Sequence, residues 1–359
     1  MTFDKDSRSI EGMDIYQPSF FDESERLAAL SRLNDPLEAL EKYVDFELFR
    51  PVLTSVFKRE QGVRGAKPYD PVMMFKILIL QRLYKLSDQQ VEFQVTDRMS
   101  FTRFLGLRIG EAIPDYSTVW RFREALTEAG VVKQLFEEFG AHLAQRGVLS
   151  QEGMIVDASF VEVPRQRNTR DENALIKEGK VPEEWAGQPA KQAQKDVDAR
   201  WTKKNEQTYF GYKDHVRTDA GSGVIVDYTV TDAAVHDSQV LWDLVGARDR
   251  GQKLWADSAY KSAQTDERLA SLGIESHIHE KGTSVRALDD TQRRHNREKS
   301  KIRCLIEHVF GFMENSMNGP ELEYIGIERI TTGIGLANLT YNLCRFVQLI
   351  RLGRVPAIA

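Results

Sequence analysis

At 359 residues with 41% apolar content, the chain is long enough for two domains and carries enough apolar side chains to bury a core. Its 49 Lys and Arg against 54 Asp and Glu give a net charge of −5, a balance that taken alone argues against nucleic acid as a partner. The average hides an asymmetry, because residues 1–50 hold twelve acidic and six basic side chains, which leaves the remainder at +1 and able to form basic faces.

The opening MTFDKDSRSI is acidic and polar where a secretory signal is basic and then apolar. Residues 1–59, with amphipathic fragments such as SERLAALSRL, read as a partly ordered acidic leader. From Asp70, DPVMMFKILILQRLYKL begins with Asp then Pro and places Met73, Ile77, Leu80 and Tyr84 at helical spacing, which predicts a helix. Its apolar run is interrupted by Lys76, which disfavours a membrane span. Ser87 with Gln90 forms a capping box for a second helix to about Thr96, and Pro114 to Ser117 precede a third that Gly130 ends. Residues 60–148 are therefore expected to be a helical domain. Arg98, Arg103, Arg121 and Arg123 permit a helix-turn-helix reading, with plain helical packing an equal alternative.

At residue 149 the character changes. MIVDASFVEV, TYFGYKDHVRT, GVIVDYTVT, QKLWADSAY and residues 275–279 read as five strands, the second and third joined as a hairpin by DAGSG. Helical patterns follow at HDSQVLWDLVGARDRG, near Thr265 and across residues 290–315. The fold class is α/β, a mixed five-stranded sheet flanked by helices over residues 149–351, with a C-terminal tail at 352–359. A polar, mixed-charge stretch at 164–207 is expected to be a mobile insertion. The two cysteines, Cys304 and Cys344, fit neither a zinc knuckle nor a redox pair, so a reducing, cytoplasmic setting is expected.

Dinucleotide, P-loop, hydrolase-elbow and zinc-protease motifs are missing. What remains is carboxylates at strand ends. Asp157 follows Met154-Ile155-Val156, and Asp257 follows Leu254-Trp255-Ala256; either alone is as readily a turn residue. A third acid, Glu307, stacks with Arg303 and Lys299 on one helical face, where the alternative is a solvated i,i+4 ion pair. Three hard oxygen ligands from two strand ends and one helix suit Mg²⁺ or Mn²⁺.

The chain resembles bacterial insertion-sequence transposases of the DDE class, in the branch named after insertion sequence five. The resemblance runs from about Lys67 to Arg351 through PYDPVMMFKILILQRLYKLSDQQVE, SFTRFLGL, PDYSTVWRFRE, IVDASFVEVPRQRN, DARWTKKNEQTYFGYKDH, TVTDAAVHDS, WADSAYKS and RCLIEHVFGFM. It implies an RNase H-like catalytic domain with Asp157, Asp257 and Glu307 as catalytic and metal-binding triad. Two Mg²⁺ ions, with Mn²⁺ as substitute, would be bridged by Asp157 and completed by Asp257 and Glu307. The implied activity is DNA strand cleavage and strand transfer at the terminal inverted repeats, by a homodimer on paired ends of double-stranded DNA, associated with the nucleoid when bound. Relatives tend to carry Tyr three residues before the Arg and Lys seven after the Glu, where this chain has Ser300 and Glu314.

Arg293, Arg294, Arg297, Lys299, Lys301 and Arg303 form a candidate phosphate track leading into Glu307, or else a solvated basic helix. Tyr209, Phe210, Tyr212 and Lys213, and Trp201 with Lys203 and Lys204, are candidates for DNA contact or for sheet packing. His236 and Asp237 sit beside the site or serve as a helix cap. Two rival readings remain, a nuclease of the same fold that does not join strands and a transposase-derived DNA-binding protein that no longer cleaves.

Overall fold

The computed structural model describes residues 22–57, 68–108, 110–185, 187–204, 206–282, 287–319 and 321–356. Residues 1–21 and 58–59 of the expected leader, 60–67 and 109 of the helical region, 186 and 205 of the insertion and 357–359 of the tail lie outside them. The first eight helices are α1 (Asp22–Arg32), α2 (Pro36–Tyr43), α3 (Arg50–Val56), α4 (Pro71–Tyr84), α5 (Asp88–Asp97), α6 (Met99–Leu105), α7 (Tyr116–Ala129) and α8 (Val132–Gln145). Their ends follow from local chemistry. Asp70 accepts from the backbone of Val72 and Met73 ahead of Pro71, Ser87 and Gln90 close a reciprocal capping box, and Asp115 and Gly130 bracket α7. Helix α4 is buried all round from Val72 to Gln81, because the other helices of this layer pack about it.

The described part of the expected leader belongs to this core. Phe46 and Phe49 are buried, with ring centroids 5.5 Å from Phe104 and 4.8 Å from Phe75, so apolar spacing outweighs the local acidity that suggested a partly ordered arm.

The second layer is a six-stranded mixed sheet. Strands β1 (Gly153–Glu162), β2 (Arg200–Lys204), β3 (Gln207–Asp219), β4 (Ile225–Asp232), β5 (Lys253–Trp255) and β6 (Glu275–Ser276) run in the order β2-β3-β1-β5-β6, with β4 also on β3. Pairings β1 with β3 and β3 with β4 are antiparallel, whereas β1 with β5 and β5 with β6 are parallel. Three antiparallel strands extended by two parallel ones form an RNase H-like sheet. The expectation of five strands is corrected to six, because β2 forms inside the insertion and pairs with the start of β3.

Nor is the insertion a featureless loop. It carries α9 (Arg170–Lys177) and α10 (Pro189–Gln192), and fully buried Trp185 donates its Nε1–H to Glu172 at 2.8 Å. Asp196 accepts from the Tyr212 hydroxyl at 2.7 Å, and Asp196 and Asp198 cap the start of a later helix through the amides of Gly326 and Ile327. These anchors are far apart in sequence and have no periodic signature.

Past β4 come α11 (Asp237–Leu244), α12 (Ala263–Leu272), α13 (Asp290–Arg303), α14 (Leu305–Asn315) and α15 (Ile327–Arg351). Alternating residues of β1 face two cores. Ile155 and Val161 join the large core with the N-terminal helices, α14 and α15, whereas Met154 and Val156 pack with Leu241, Leu244 and Leu269 of α11 and α12. Helix α15 lies between the helical layer and β4, and Gly335 permits the approach, since a Cβ there would fall 2.3 Å from the Tyr228 hydroxyl. The helix expected over 290–315 is interrupted at Cys304, which closes α13 and precedes α14.

Candidate active site

The parallel pairing of β1 with β5 ends at Ile155 with Trp255, and Asp157 and Asp257 lie two residues beyond that last pair. Both therefore fall on the face of Ile155 and Trp255, toward α14. Asp157 sits in the middle of β1 and not at its end as the sequence suggests, because pairing with β3 carries the strand on to Glu162. It is β5 that stops, and Asp257 caps the turn Ser258–Tyr260 by accepting from Ala259 at 2.7 Å.

Asp157 accepts from its neighbour Ala158 at 2.8 Å and from Arg303 Nη1 at 3.1 Å. The second nitrogen of that guanidinium, Nη2, donates to Glu307 at 2.7 Å. Burial pushes the Asp157 carboxyl up to about 6, and the neighbouring Asp257 charge adds to the rise; the Ala158 amide, Arg303 and Lys204 oppose it. The Asp157 side chain is 16% exposed and that of Glu307 60%. Arg303 thus holds a buried and an exposed carboxylate at once.

A cleft of about 680 Å³ opens over this point, and Asp157, Asp257, Phe160, Lys204, Tyr209, His279, Arg303, Glu314 and Glu321 are among its lining residues. Glu307 is not. Among the described residues no three His, Cys, Asp or Glu side chains converge closely enough to hold a metal ion. Asp157 and Asp257 suit a divalent ion by donor chemistry, and Arg303 stands between Asp157 and Glu307, bonded to both.

Other candidates separate by burial. Arg293 is exposed beside Asp290, Arg294 donates to Thr291, Arg297 is exposed, and Lys301 pairs with Glu298 on the surface. Lys299 instead donates to the Ile278 carbonyl at 2.8 Å and pairs with Glu280, so it fastens α13 to the segment after β6. Lys213 is buried against Asp237 and the Val235 carbonyl, and Phe210 and Tyr212 are core residues. His236 caps α11, accepting from Ser238, and Asp237 serves Lys213. Trp201 is partly exposed, 4.8 Å from Phe210 and under the Arg165 guanidinium, and Lys204 lies over Phe160. In the helical layer Arg103 binds Asp35, Arg123 is buried with both nitrogens on Asp88, and Arg98 lies over Tyr84 and Phe101, which places these three in packing; Arg121 is exposed.

Sequence reasoning missed Phe160, whose ring stacks on Tyr209 at 4.2 Å and 10°, and His279, whose Nε2 lies 3.3 Å from the Ser300 hydroxyl. Phe160 had one available signal, its place three residues after Asp157; His279 closes the segment read as the fifth strand, but nothing local ties it to Ser300, 21 residues on. Tyr260, also missed, is buried with no hydrogen-bond partner for its hydroxyl among the described residues, and its pKa is raised well above the ordinary value by burial and by Asp157, Asp237 and Asp257.

Residues 149–343, more than half of the chain, match the family model described as Transposase DDE domain, and residues 25–125 match one described as Transposase domain (DUF772). A solved structure, the cryo-EM structure of piggyBac transposase synaptic complex with hairpin DNA, is similar at 12% identity and a TM-score of 0.45, over 92% of this chain and 78% of that one. With its RNase H-like sheet and an Asp pair at the β1–β5 junction, the chain belongs to the transposase DDE-domain family.

Proposed function

We propose that the protein cleaves DNA at the ends of an insertion sequence and transfers the freed strands to target DNA, with Asp157, Asp257 and Glu307 as its acidic triad. The observation that carries this reading is the pair Asp157 and Asp257, one on β1 and the other just past the end of the adjacent parallel strand β5, both lining an open cleft. Divalent ions bound there, Mg²⁺ or Mn²⁺, would supply activation of water or a 3′-hydroxyl and charge stabilisation at the scissile phosphate. The protein's own part is placement: Asp157 and Asp257 offer hard oxygens from a rigid sheet, and Glu307 comes from α14. Arg303, with its planar fork, is suited to a phosphate beside the site. Lys204, Tyr209 and Phe160 wall the cleft where a strand would lie, and exposed Arg293, Arg294, Arg297 and Lys301 extend basic charge along α13. Two copies acting on paired ends belong to the same reading. Among the described residues no helix is long and apolar enough to cross a membrane.

The test is a plasmid carrying the coding sequence with its flanking DNA, incubated with purified protein and Mg²⁺. Nicks at the element ends together with joined strand-transfer products are expected. Nicks without joining would leave the nuclease reading, and binding with neither would leave the inactive DNA-binding one.

A further inference from the structure

The acid set and Arg303 are arranged in a way that the catalytic reading leaves unexplained. A side chain placed only to grip DNA would point its fork to solvent, yet Arg303 turns one nitrogen to Asp157 on β1 and the other to Glu307 on α14, and its side chain is 21% exposed. Its Nε is buried with no hydrogen-bond partner among the described residues, so the guanidinium is incompletely satisfied there. Arg123 contrasts with it, since both terminal nitrogens bind one carboxylate, that of Asp88, as a structural pair does. Arg303 is also the last residue of α13, at the break before Cys304.

We propose that Arg303 is an internal cation that competes with the divalent ion for the carboxylate site. It shares its one positive charge between Asp157 and Glu307 while no ion is bound, and on ion binding it gives up both carboxylates and turns to a DNA phosphate. A guanidinium stays charged at any physiological pH, so it leaves a carboxylate when another cation takes the carboxylate or another anion takes the guanidinium. The exchange couples the two ligands: ion binding frees the arginine for DNA, and a phosphate that holds the arginine clears the carboxylates for the ion. The inference rests on the acidic triad proposed above and adds the order in which its charges change partners.

The coupling is measurable without turnover. Mn²⁺ binding to the full chain, without DNA, is followed by electron paramagnetic resonance for the wild type, Arg303→Gln, Lys204→Gln, Asp157→Asn and Asp257→Asn, each checked for folding by circular dichroism. Arg303→Gln should bind Mn²⁺ roughly three- to tenfold more tightly than wild type. Lys204→Gln removes a nearby positive charge that bonds to neither carboxylate, and should change Mn²⁺ affinity by less. Binding of a fluorescein-labelled 30-base-pair duplex, with and without Ca²⁺, reads the other half. Ca²⁺ should steepen the wild-type slope of log affinity against log salt by about one unit relative to Arg303→Gln, as one added phosphate contact requires. If Arg303→Gln binds Mn²⁺ no more tightly than Lys204→Gln does, or the Ca²⁺ effect on the slope is equal in wild type and Arg303→Gln, the competition is overturned while loss of Mn²⁺ binding in the two Asp variants leaves the triad standing. Unchanged Mn²⁺ binding in both Asp variants overturns the triad itself.

Discussion

Ile155 and Trp255 form the last registered pair between β1 and β5, and this one register fixes where the acids go. Two residues further along each strand, the same-face rule brings Asp157 and Asp257 side by side at the cleft floor. A one-residue slip would send either carboxylate into the packing of Leu241 and Leu269 on the opposite face.

The first prediction follows from that placement. Asp157→Asn, Asp257→Asn and Glu307→Gln should each lower Mg²⁺-dependent nicking of donor ends by roughly a hundredfold or more, while DNA affinity changes little. Asn and Gln keep shape and lose charge, so circular dichroism should show folded variants. Near-normal nicking by any one of them would remove that residue from the site.

Much of this was legible in the sequence, for a definite reason. Asp70-Pro71, Ser87 with Gln90, Asp115 with Gly130 and the DAGSG turn act within a few residues, and each closes a helix or hairpin as read. The acids were legible because apolar triplets precede them. What stayed hidden depends on distant partners: Trp185 buried on Glu172, Tyr212 on Asp196, and Lys299 on Ile278. Composition alone calls the insertion polar and Lys299 a DNA contact. Arg303 is half legible: its i,i+4 partner Glu307 can be read along the helix, but Asp157, 146 residues away, cannot.

Charge on α13 gives the second prediction. Arg293 and Arg294 are exposed, whereas Lys299 is spent on an internal carbonyl and Glu280. Replacing both arginines by Ala should flatten the salt dependence of DNA binding by about one to two units of slope. Lys299→Ala should instead lower the melting temperature and leave the slope alone. A flattened slope for Lys299→Ala, or none for the double variant, would reverse these roles.

A third concerns pH. Asp214 is buried on β3, where Asn338 donates to it at 3.2 Å, and burial pushes its carboxyl up to about 7, against the pull of Asn338 and Lys133. An unfolded Asp releases its proton near 3.9, so between about pH 4 and 7 the folded state holds the extra proton and stability falls as pH rises, by at most about 1.4 kcal/mol per pH unit. Asp214→Asn lacks this loss. Its melting temperature should gain on wild type progressively from pH 4 to 7 and then level off; parallel curves would mean that Asp214 is ionised throughout.

Packing of α15 gives a fourth. Gly335→Ala puts a methyl 2.3 Å from the Tyr228 hydroxyl and 2.8 Å from Val132. Tyr228 has little room to yield, since its ring meets Phe136 edge-on at 4.9 Å and carries Lys133 at 4.1 Å. The helix has to lift off β4, at a cost of about 1–3 kcal/mol, read as a lower urea midpoint at unchanged slope. An unchanged midpoint would show that α15 shifts freely.

The last prediction turns on Glu314, which stands seven residues after Glu307, where the resemblance read from the sequence implies Lys. Seven residues is two helical turns, so it shares the face of Glu307, and it is exposed at the cleft that holds Asp157 and Asp257. An acid at this wall repels a phosphate. Lys299, the nearest substitute along the helix, is occupied, and Lys301 is exposed and pairs with Glu298, a surface contact that competes weakly with a phosphate. Glu314→Lys exchanges repulsion for attraction and should tighten binding of duplex DNA roughly three- to tenfold at about 0.1 M salt, with the slope of log affinity against log salt steeper by about one unit. Lys301→Ala should weaken binding without affecting the melting temperature. Weaker binding by Glu314→Lys would mean that the acid supports the cleft wall, and the DNA path would then have to run along β2 and Trp201 and not along α14.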